Sequence, residues 1–209
     1  AEAVFFTHSY KKFGGRLVIN RSNAVKVFMN HGVTGIKRMH TINPNLNNYD
    51  IVCCSSPIEK HYYLKAGYRS EQMFQTGFPR HDSLAFYDAN QQSSGRYILY
   101  TPTFRDWSSD SDEDKYIELL FAWLDGFRKQ FPDIDIKTWI HPAWYKKIKG
   151  GFKQKGGADM LKYDTDVQEL LLQAEVLVTD YSSIALDAGL LGIPVVLFRP
   201  DKEEFSLKR

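Results

Sequence analysis

Short, continuous apolar runs alternate along the sequence with stretches of helical periodicity, and this alternation constrains the fold more than any other feature. Runs that are apolar throughout are typical of parallel strands covered on both faces. Strands that alternate with helices in this way indicate an α/β architecture. The runs predicted as strands are Ala3–Thr7, Val25–Asn30, Asp50–Cys54, Gln72–Thr76, Tyr97–Thr101, Ile134–Ile140, Met160–Tyr163, Val176–Thr179 and Val195–Phe198.

The clearest helical pattern extends over Glu113–Phe131, where apolar residues recur at helical spacing along one face. Ser111 is predicted to cap this helix, and Pro132 follows its end. Another helix is predicted to begin at the capping box Thr165–Gln168 and to end near Ala174.

The polar, turn-rich segment Asp88–Gly95 is the best candidate for a linker between domains. We therefore expect an N-terminal α/β domain over residues 1–87, a linker over residues 88–95 and a C-terminal α/β domain over residues 96–209. The opening AEAVFFTHSY reads like the middle of a protein, so we expect the fold to be incomplete at its ends.

Composition narrows the function classes. The two cysteines, Cys53 and Cys54, are adjacent in an apolar run, which favours a reducing compartment and offers no metal-ligand spacing. No stretch approaches the ~20 apolar residues of a membrane span. A net charge of +2 argues neither for nor against nucleic acid, and we expect no nucleic-acid partner. No acidic pair that could bind a metal follows a predicted strand, because the acidic run Asp110–Asp114 reads as the start of a helix. We therefore expect no metal and no other cofactor.

A polar turn separates the strand that ends at Thr179 from a helix predicted to begin near Ser182 and to end before Gly192, which suits a left-handed cap. In a parallel sheet, ligands bind where the carboxyl end of a strand meets a helix, because free N–H groups and the helix dipole attract phosphate there. The hydroxyls of Ser182 and Ser183 would add donors. In the alternative interpretation, Asp180 or Ser182 only caps the helix.

Polar residues follow other predicted strands in the same way. They contribute, in chain order, His31 with Lys37 and Arg38, Thr103 with Arg105, and His141. A single histidine in such a position is more often structural than catalytic. Two histidines at strand ends, accompanied by basic side chains and hydroxyls, favour a functional site.

Several motifs occur in one order along the chain: HGVTGIKR from His31, TGFPRHDSL from Thr76, YTPTFRD from Tyr100, the pair His141-Pro, and the segment from DVQELL through TDYSS to PDKEEF. In this order they resemble the CDP-glycerol glycerophosphotransferase family, which includes teichoic acid primases, teichoic acid polymerases and related capsule polymerases. The resemblance extends from about Val25 to Phe205. It implies two Rossmann-like domains of the GT-B glycosyltransferase type, with the donor nucleotide held mainly by the C-terminal domain and the acceptor by the N-terminal domain.

The resemblance also implies a reaction. Glycerol phosphate, or a similar polyol phosphate, would move from a CDP-activated donor such as CDP-glycerol to a hydroxyl of a lipid-linked or polymeric acceptor, releasing CMP. Such a transfer needs a base, positive charge near the phosphoryl oxygens and an anchor for the nucleotide. His31 is expected to be the base, and His141 to stabilise the phosphoryl group or to protonate the departing CMP. We expect the two histidines to face each other across a cleft between the domains.

The expected donor site combines residues that follow two predicted strands of the C-terminal domain, those that end at Thr101 and at Thr179. Asp180 is expected to orient its loop rather than to touch an anion, and for Glu204 a solvated surface position is the alternative. Lys37 and Arg38 are candidate phosphate contacts. The predicted donor-binding residues are Thr103, Arg105, Thr179, Asp180, Ser182, Ser183 and Glu204.

Two other functions stay open: a GT-B glycosyltransferase that uses a nucleotide sugar, and a non-catalytic fragment that binds nucleotide or polymer. Because family acceptors are lipid-linked and the chain shows no spanning segment, we expect a cytoplasmic protein peripheral to the inner face of the membrane. The lysine-rich stretch Lys146–Lys155 is a candidate membrane surface. The sequence determines neither the acceptor nor the oligomeric state.

Overall fold

The computed structural model describes residues 2–7, 23–34, 44–45, 47–85, 97–105, 110–141, 144–145, 161 and 164–208. The chain divides into two compact units, Ala1–Ala85 and Phe86–Arg209. Each unit contains its own four-stranded parallel sheet. The linker predicted over residues 88–95 lies outside the described residues, as do Lys37, Arg38, Lys146–Lys155 and all of the predicted strand Met160–Tyr163 except Leu161.

The first unit is a sheet whose strands lie side by side in chain order. Its strands are β1 (Ala3–Phe6), β2 (Val25–Met29), β3 (Ile51–Cys54) and β4 (Met73–Gln75). Helix α1 (Pro57–Lys65) follows β3, and the short helix α2 (Asp82–Ala85) follows β4. Helix α1 begins after Ser56 because the Ser56 hydroxyl accepts a hydrogen bond from the Glu59 amide and Pro57 is preorganised for the first turn. The core contains Phe6, Phe28, Tyr49, Val52, Cys54, Tyr63, Tyr68 and Met73.

The second unit has the strand order β6-β5-β7-β8. Its strands are β5 (Tyr97–Thr101), β6 (Ile136–Thr138), β7 (Ala174–Thr179) and β8 (Val195–Leu197), and its helices are α3 (Asp110–Gln130), α4 (Val167–Leu172), α5 (Ile184–Leu190) and α6 (Lys202–Lys208). Helix α3 buries Tyr116, Leu120 and Leu124 in one cluster, whereas α4 and α5 pack in another with Leu99 and Leu177. Since β5 and β7 contribute to both clusters, the central strands need apolar residues on both faces.

The predicted α/β class with parallel sheets is confirmed, and within the described residues the strands and helices differ from the predicted ones at their ends. Helix α3 begins at Asp110, so the prediction that Ser111 caps it is wrong. Asp166, rather than Thr165, caps α4 by accepting a hydrogen bond from the Gln168 amide. Gly192 has a φ of +69°, which confirms the left-handed residue predicted after α5.

The described helices differ from membrane spans in composition. None of the helices in the described segments is both long enough and apolar enough to cross a bilayer.

Cys53 and Cys54 are buried free thiols, and burial together with the charge of Glu59 raises the pKa of Cys54 above its ordinary value.

Candidate active site

The carboxyl ends of the strands in the second sheet meet at one edge. Thr179 lies opposite Thr101 on one side and opposite Leu197 on the other, and Tyr100 lies opposite Thr138. The four loops that follow these strands therefore begin at the same edge, which is where parallel α/β sheets bind ligands.

Arg105, which follows β5, is 3% exposed and is surrounded by oxygen acceptors. Its Nε and Nη2 donate to the two carboxylate oxygens of Asp201 at 2.7 and 3.1 Å. Its Nη1 donates to the Thr103 carbonyl at 2.6 Å and lies 2.8 Å from an Asp180 oxygen. A further bond joins Nη2 to the Tyr116 hydroxyl at 2.5 Å. These acceptors match the five N–H groups of a guanidinium, so we expect Arg105 to hold the loops together rather than to donate to a phosphate.

The pKa values around Arg105 follow from burial and charge. Burial alone would lower the pKa of Arg105, but the hydrogen bond to Asp201 and the charge of Asp180 raise it above its ordinary value. Burial and the charge of Asp180 also raise the pKa of Tyr116. Arg105 therefore stays a guanidinium and Tyr116 a neutral phenol throughout the physiological range.

Asp180 connects the loop after β5 to the loop after β7. Its two oxygens accept from the Thr103 amide at 2.9 and 3.1 Å, and one of them accepts from the Tyr116 hydroxyl at 3.2 Å. Thr179 adds a bond from its hydroxyl to the Thr101 carbonyl at 2.7 Å, and its side chain is fully buried. Asp180 thus joins the two loops through its carboxylate. The hydroxyl proton of Thr179 is already used inside the sheet, so we expect this residue to support the loop rather than to contact the donor.

Three hydroxyls at this edge make few hydrogen bonds within the described residues. The Ser182 hydroxyl accepts only a long bond of 3.4 Å from the Ile184 amide among the bonds described, and Ser183 precedes α5 without a side-chain capping bond. Thr103 Oγ1 is buried and has no hydrogen-bond partner among the described residues. Helix capping accounts only for the long bond at Ser182 and for neither of the other two hydroxyls.

His141 is exposed in the loop after β6 and stacks on Phe104 of the β5 loop, with ring centroids 5.7 Å apart and an interplanar angle of 16°. Its carbonyl accepts a hydrogen bond from the Trp144 amide at 2.8 Å. Phe104 lies between Thr103 and Arg105 in sequence, so stacking fixes the imidazole beside the loop that carries the Thr103 hydroxyl. The structure thus groups His141 with the predicted donor-site loops.

Glu204 lies in α6, on a groove of about 650 Å³ between α6 and α3. Lys115 and Leu119 of α3 line the opposite side of this groove. The neighbouring Phe205 stacks on Tyr181, with ring centroids 3.4 Å apart, and so fixes α6 against the β7 loop. Glu204 therefore belongs to the same edge of the sheet, at its periphery.

Arg199 and Asp201 were not predicted as site residues. Both follow β8, and of the residues beyond this strand only Glu204 was predicted to belong to the site. Arg199 Nε donates to the Asp180 carbonyl at 3.1 Å, and its guanidinium lies 5.1 Å from the centre of the Tyr181 ring. The signal in the sequence is the same as at the other strand ends, because the polar residues of Arg-Pro-Asp directly follow the predicted strand Val195–Phe198.

In the first unit, His31 is exposed in the loop after β2. Its Nδ1 lies 3.1 Å from the Thr7 carbonyl, and Arg80 Nη1 donates to the His31 carbonyl at 2.8 Å. A carbonyl oxygen only accepts, so Nδ1 must carry the proton and the lone pair of the neutral ring lies on Nε2. This tautomer suits a base that accepts a proton at Nε2.

The described residues contain no group of three or more His, Cys, Asp or Glu side chains with the geometry of a metal site. The carboxylates of Asp180 and Asp201 are occupied by Arg105.

Two parallel α/β units with polar loops at the strand ends define an α/β protein of the GT-B-like fold class. The family model described as CDP-Glycerol:Poly(glycerophosphate) glycerophosphotransferase matches residues 1–209, and the chain belongs to that family.

The relatives are distant. The teichoic acid glycerol-phosphate primase of Bacillus subtilis is 26% identical over 96% of this chain and 50% of its own length. The teichoic acid poly(ribitol-phosphate) polymerase of Bacillus spizizenii is 28% identical over 79% of this chain and 28% of its own length. The chain thus spans at most half the length of these two relatives.

Solved structures show the same fold. The wall teichoic acid polymerase TagF is 22% identical with a TM-score of 0.62, over 88% of this chain and 52% of that one. The Staphylococcus aureus MnaA–UDP structure is 18% identical with a TM-score of 0.69, over 95% of this chain and 57% of that one. At such identities the likeness shows the fold alone.

Proposed function

We propose that the protein transfers glycerol phosphate, or a similar polyol phosphate, from a CDP-activated donor to a hydroxyl of a lipid-linked or polymeric teichoic acid acceptor, releasing CMP. The family match over residues 1–209 supports the reaction class. The observation that carries the proposal is the set of weakly committed hydroxyls on Thr103, Ser182 and Ser183 at one sheet edge. Hydroxyl donors grouped at the carboxyl ends of parallel strands suit a pyrophosphate.

In the proposed donor site, these three hydroxyls donate to pyrophosphate oxygens. Arg199 supplies positive charge in place of Arg105, since its Nε already contacts the backbone of the serine loop. Asp180, Thr179 and Arg105 hold the loops in position rather than touching the donor. The carboxylate of Glu204 accepts a hydrogen bond from a hydroxyl of the ribose or of the glycerol unit.

In the proposed reaction, the acceptor oxygen attacks the β-phosphorus and the bond from that phosphorus to the CMP oxygen breaks. Nε2 of His31 takes the acceptor proton, as its tautomer allows. His141 stabilises the transferred phosphoryl group or protonates the leaving CMP phosphate. Lys37 and Arg38 stay candidate phosphate contacts.

Supplying the full-length protein with CDP-glycerol, CDP-ribitol and UDP-sugars, each with a teichoic acid acceptor, tests the proposal by the nucleotide released. CMP from a CDP-polyol is the expected product. UDP from a UDP-sugar would instead establish a glycosyltransferase, a rival that the similar fold of the UDP-bound structure keeps relevant. Binding of CDP-glycerol without release of any nucleotide would establish a non-catalytic binding protein.

We also propose that the protein works without a metal and attaches peripherally to the inner face of the cell membrane through Lys146–Lys155. A chelator should leave the rate of CMP release unchanged. Vesicles that contain anionic lipid should pellet more protein than neutral vesicles, because each lysine near the surface contributes about 1 kcal/mol. Equal pelleting would remove the membrane role of this stretch.

A further inference from the structure

Glu59 is a buried carboxylate in the first turn of α1, only 1% exposed. Its Oε1 accepts a hydrogen bond from the Thr34 amide at 2.7 Å. Its Oε2 accepts from the Ser55 amide at 2.6 Å and from the Ser55 hydroxyl at 2.8 Å. Burying a carboxylate is costly, and these charge-assisted bonds offset the cost.

The two amides belong to loops that follow neighbouring parallel strands. Ser55 is the first residue after β3, and Thr34 lies in the loop after β2 that carries His31. One carboxylate therefore joins the two loops at the carboxyl edge of the first sheet. Two further bonds secure the junction: the Tyr63 hydroxyl lies 3.1 Å from Thr34 Oγ1, and Asn30 Nδ2 donates to the same oxygen at 3.0 Å.

Helix capping does not explain this carboxylate. The Ser56 hydroxyl caps α1, and the group it bonds is the backbone amide of Glu59 rather than the side chain. In a capping box the Glu side chain would return to the amide of the cap residue, whereas here it bonds the preceding residue, Ser55, and the distant Thr34.

We propose that Glu59 is a positioning residue for His31. By fixing the Thr34 amide, three residues after His31, it restrains the backbone that carries His31 and so holds the imidazole where its Nδ1 meets the Thr7 carbonyl. The proposal rests on the proposed function only in that His31 acts as the base. The position and the tautomer of His31 are properties of the first unit alone.

Glu59→Gln is the informative variant because it keeps the size of the side chain. Its amide group must direct NH2 toward either Ser55 or Thr34, where a backbone N–H then faces a donor instead of an acceptor. Asp50→Asn is the matched control. Asp50 also joins β2 to β3, accepting from the Lys26 amide at 2.8 Å, but it does so at the amino edge of the same sheet.

The first measurement is the nitrogen NMR spectrum of the His31 ring, which distinguishes the Nδ1-protonated tautomer from the alternative. Glu59→Gln should shift His31 toward a mixture of tautomers, whereas Asp50→Asn should leave it unchanged. The second measurement is steady-state transfer from CDP-glycerol by the full-length protein. Glu59→Gln should lower kcat by about 10- to 100-fold with little change in the KM for the donor, as expected for a misplaced catalytic group.

An unchanged His31 spectrum in Glu59→Gln, or equal effects of Glu59→Gln and Asp50→Asn, would overturn the proposal. If Glu59→Gln does not fold, Tyr63→Phe decides by the same two measurements, since it removes one link between Glu59 and Thr34 and keeps the ring in the core. A normal transfer rate in His31→Ala would reject the base role of His31, and the NMR comparison would still decide whether Glu59 positions this histidine.

Discussion

Arg105 bonds to Asp201, Asp180, Tyr116 and the Thr103 carbonyl, and these partners indicate a role in holding the loops together. Sequence position alone suggested a phosphate ligand, because the residue follows a strand and carries a planar cation. Its bond to Asp201 joins positions 96 residues apart, which no local pattern reveals. The same limit applies to Asp180 and Tyr116, 64 residues apart. Strand-end residues could be predicted from the sequence, whereas their pairing with each other could not.

Arg105→Met should destabilise the protein by about 3–5 kcal/mol, because it leaves the carboxylates of Asp180 and Asp201 buried without their cation. Urea unfolding monitored by circular dichroism measures the loss. The control is Arg69→Met, which removes an exposed ion pair with Glu71 and should cost at most about 1 kcal/mol. Similar losses for the two variants would contradict the assignment of Arg105 to the framework.

The double variant Ser182→Ala/Ser183→Ala should weaken CDP-glycerol binding, since each hydroxyl bond to the charged pyrophosphate contributes about 1.5–3 kcal/mol. Calorimetric titration gives the affinity. Ser206→Ala is the control, because the Ser206 hydroxyl bonds a carbonyl of its own helix. Unchanged affinity in a folded double variant would return the serine pair to a capping role.

At the scale of elements, the apolar runs predicted most strands to within one or two residues. Tyr97–Thr101 matched its predicted bounds, whereas Ile134–Ile140 shortened to Ile136–Thr138. The predicted strand is too long there because apolar residues continue after the pairing with β5 ends. Ile140, for example, is buried although it lies beyond the strand. Helix α3 began earlier than predicted, because its first turn is acidic and polar and carries no apolar periodicity.

The end of α5 offers a matched pair of glycines. Gly192→Ala should cost about 1–2 kcal/mol, because a φ of +69° is strained for any residue with a Cβ. Gly189→Ala, in the last turn of the same helix, should stabilise by about 0.5–1 kcal/mol through helix propensity. A Cβ meets no atom within 4 Å at either site, so packing does not confound the comparison. Equal effects in thermal unfolding would contradict the cap assignment.

At the scale of the whole molecule, buried tyrosines make stability depend on alkaline pH. Burial and the charge of Asp135 raise the pKa of Tyr97 to about 12, and burial and the charge of Asp201 raise the pKa of Tyr181 to about 12. Since the unfolded chain ionises near pH 10, the contribution is fully present below pH 10 and is lost as pH rises toward 12.

We therefore expect the free energy of unfolding to fall above pH 10 by up to ~1.4 kcal/mol per pH unit for each such tyrosine. Urea titrations at pH 8, 9, 10 and 11 measure the slope. Tyr181→Phe should make the fall of the unfolding free energy with pH shallower. An equal slope in the variant and in the unmodified protein would contradict the raised pKa assigned to Tyr181.

Family membership and the α/β class followed from motif order and strand alternation, both of which the sequence records directly. The division into units agrees with two separate sheets, but the acceptor and donor roles of the units stay predictions. The catalytic assignment of His31 and His141 rests on chemistry that each loop provides within its own unit.

Turnover in three histidine variants tests the central claim most directly. With CDP-glycerol and a teichoic acid acceptor, His31→Ala and His141→Ala in the full-length protein should each reduce the rate of CMP release by roughly two to four powers of ten. His61→Ala, an exposed position on α1, should release CMP at the normal rate. Donor affinity should fall more for His141→Ala, because His141 stacks on Phe104 in the loop that also carries Thr103. A folded His31→Ala variant that transfers at a near-normal rate would contradict the account.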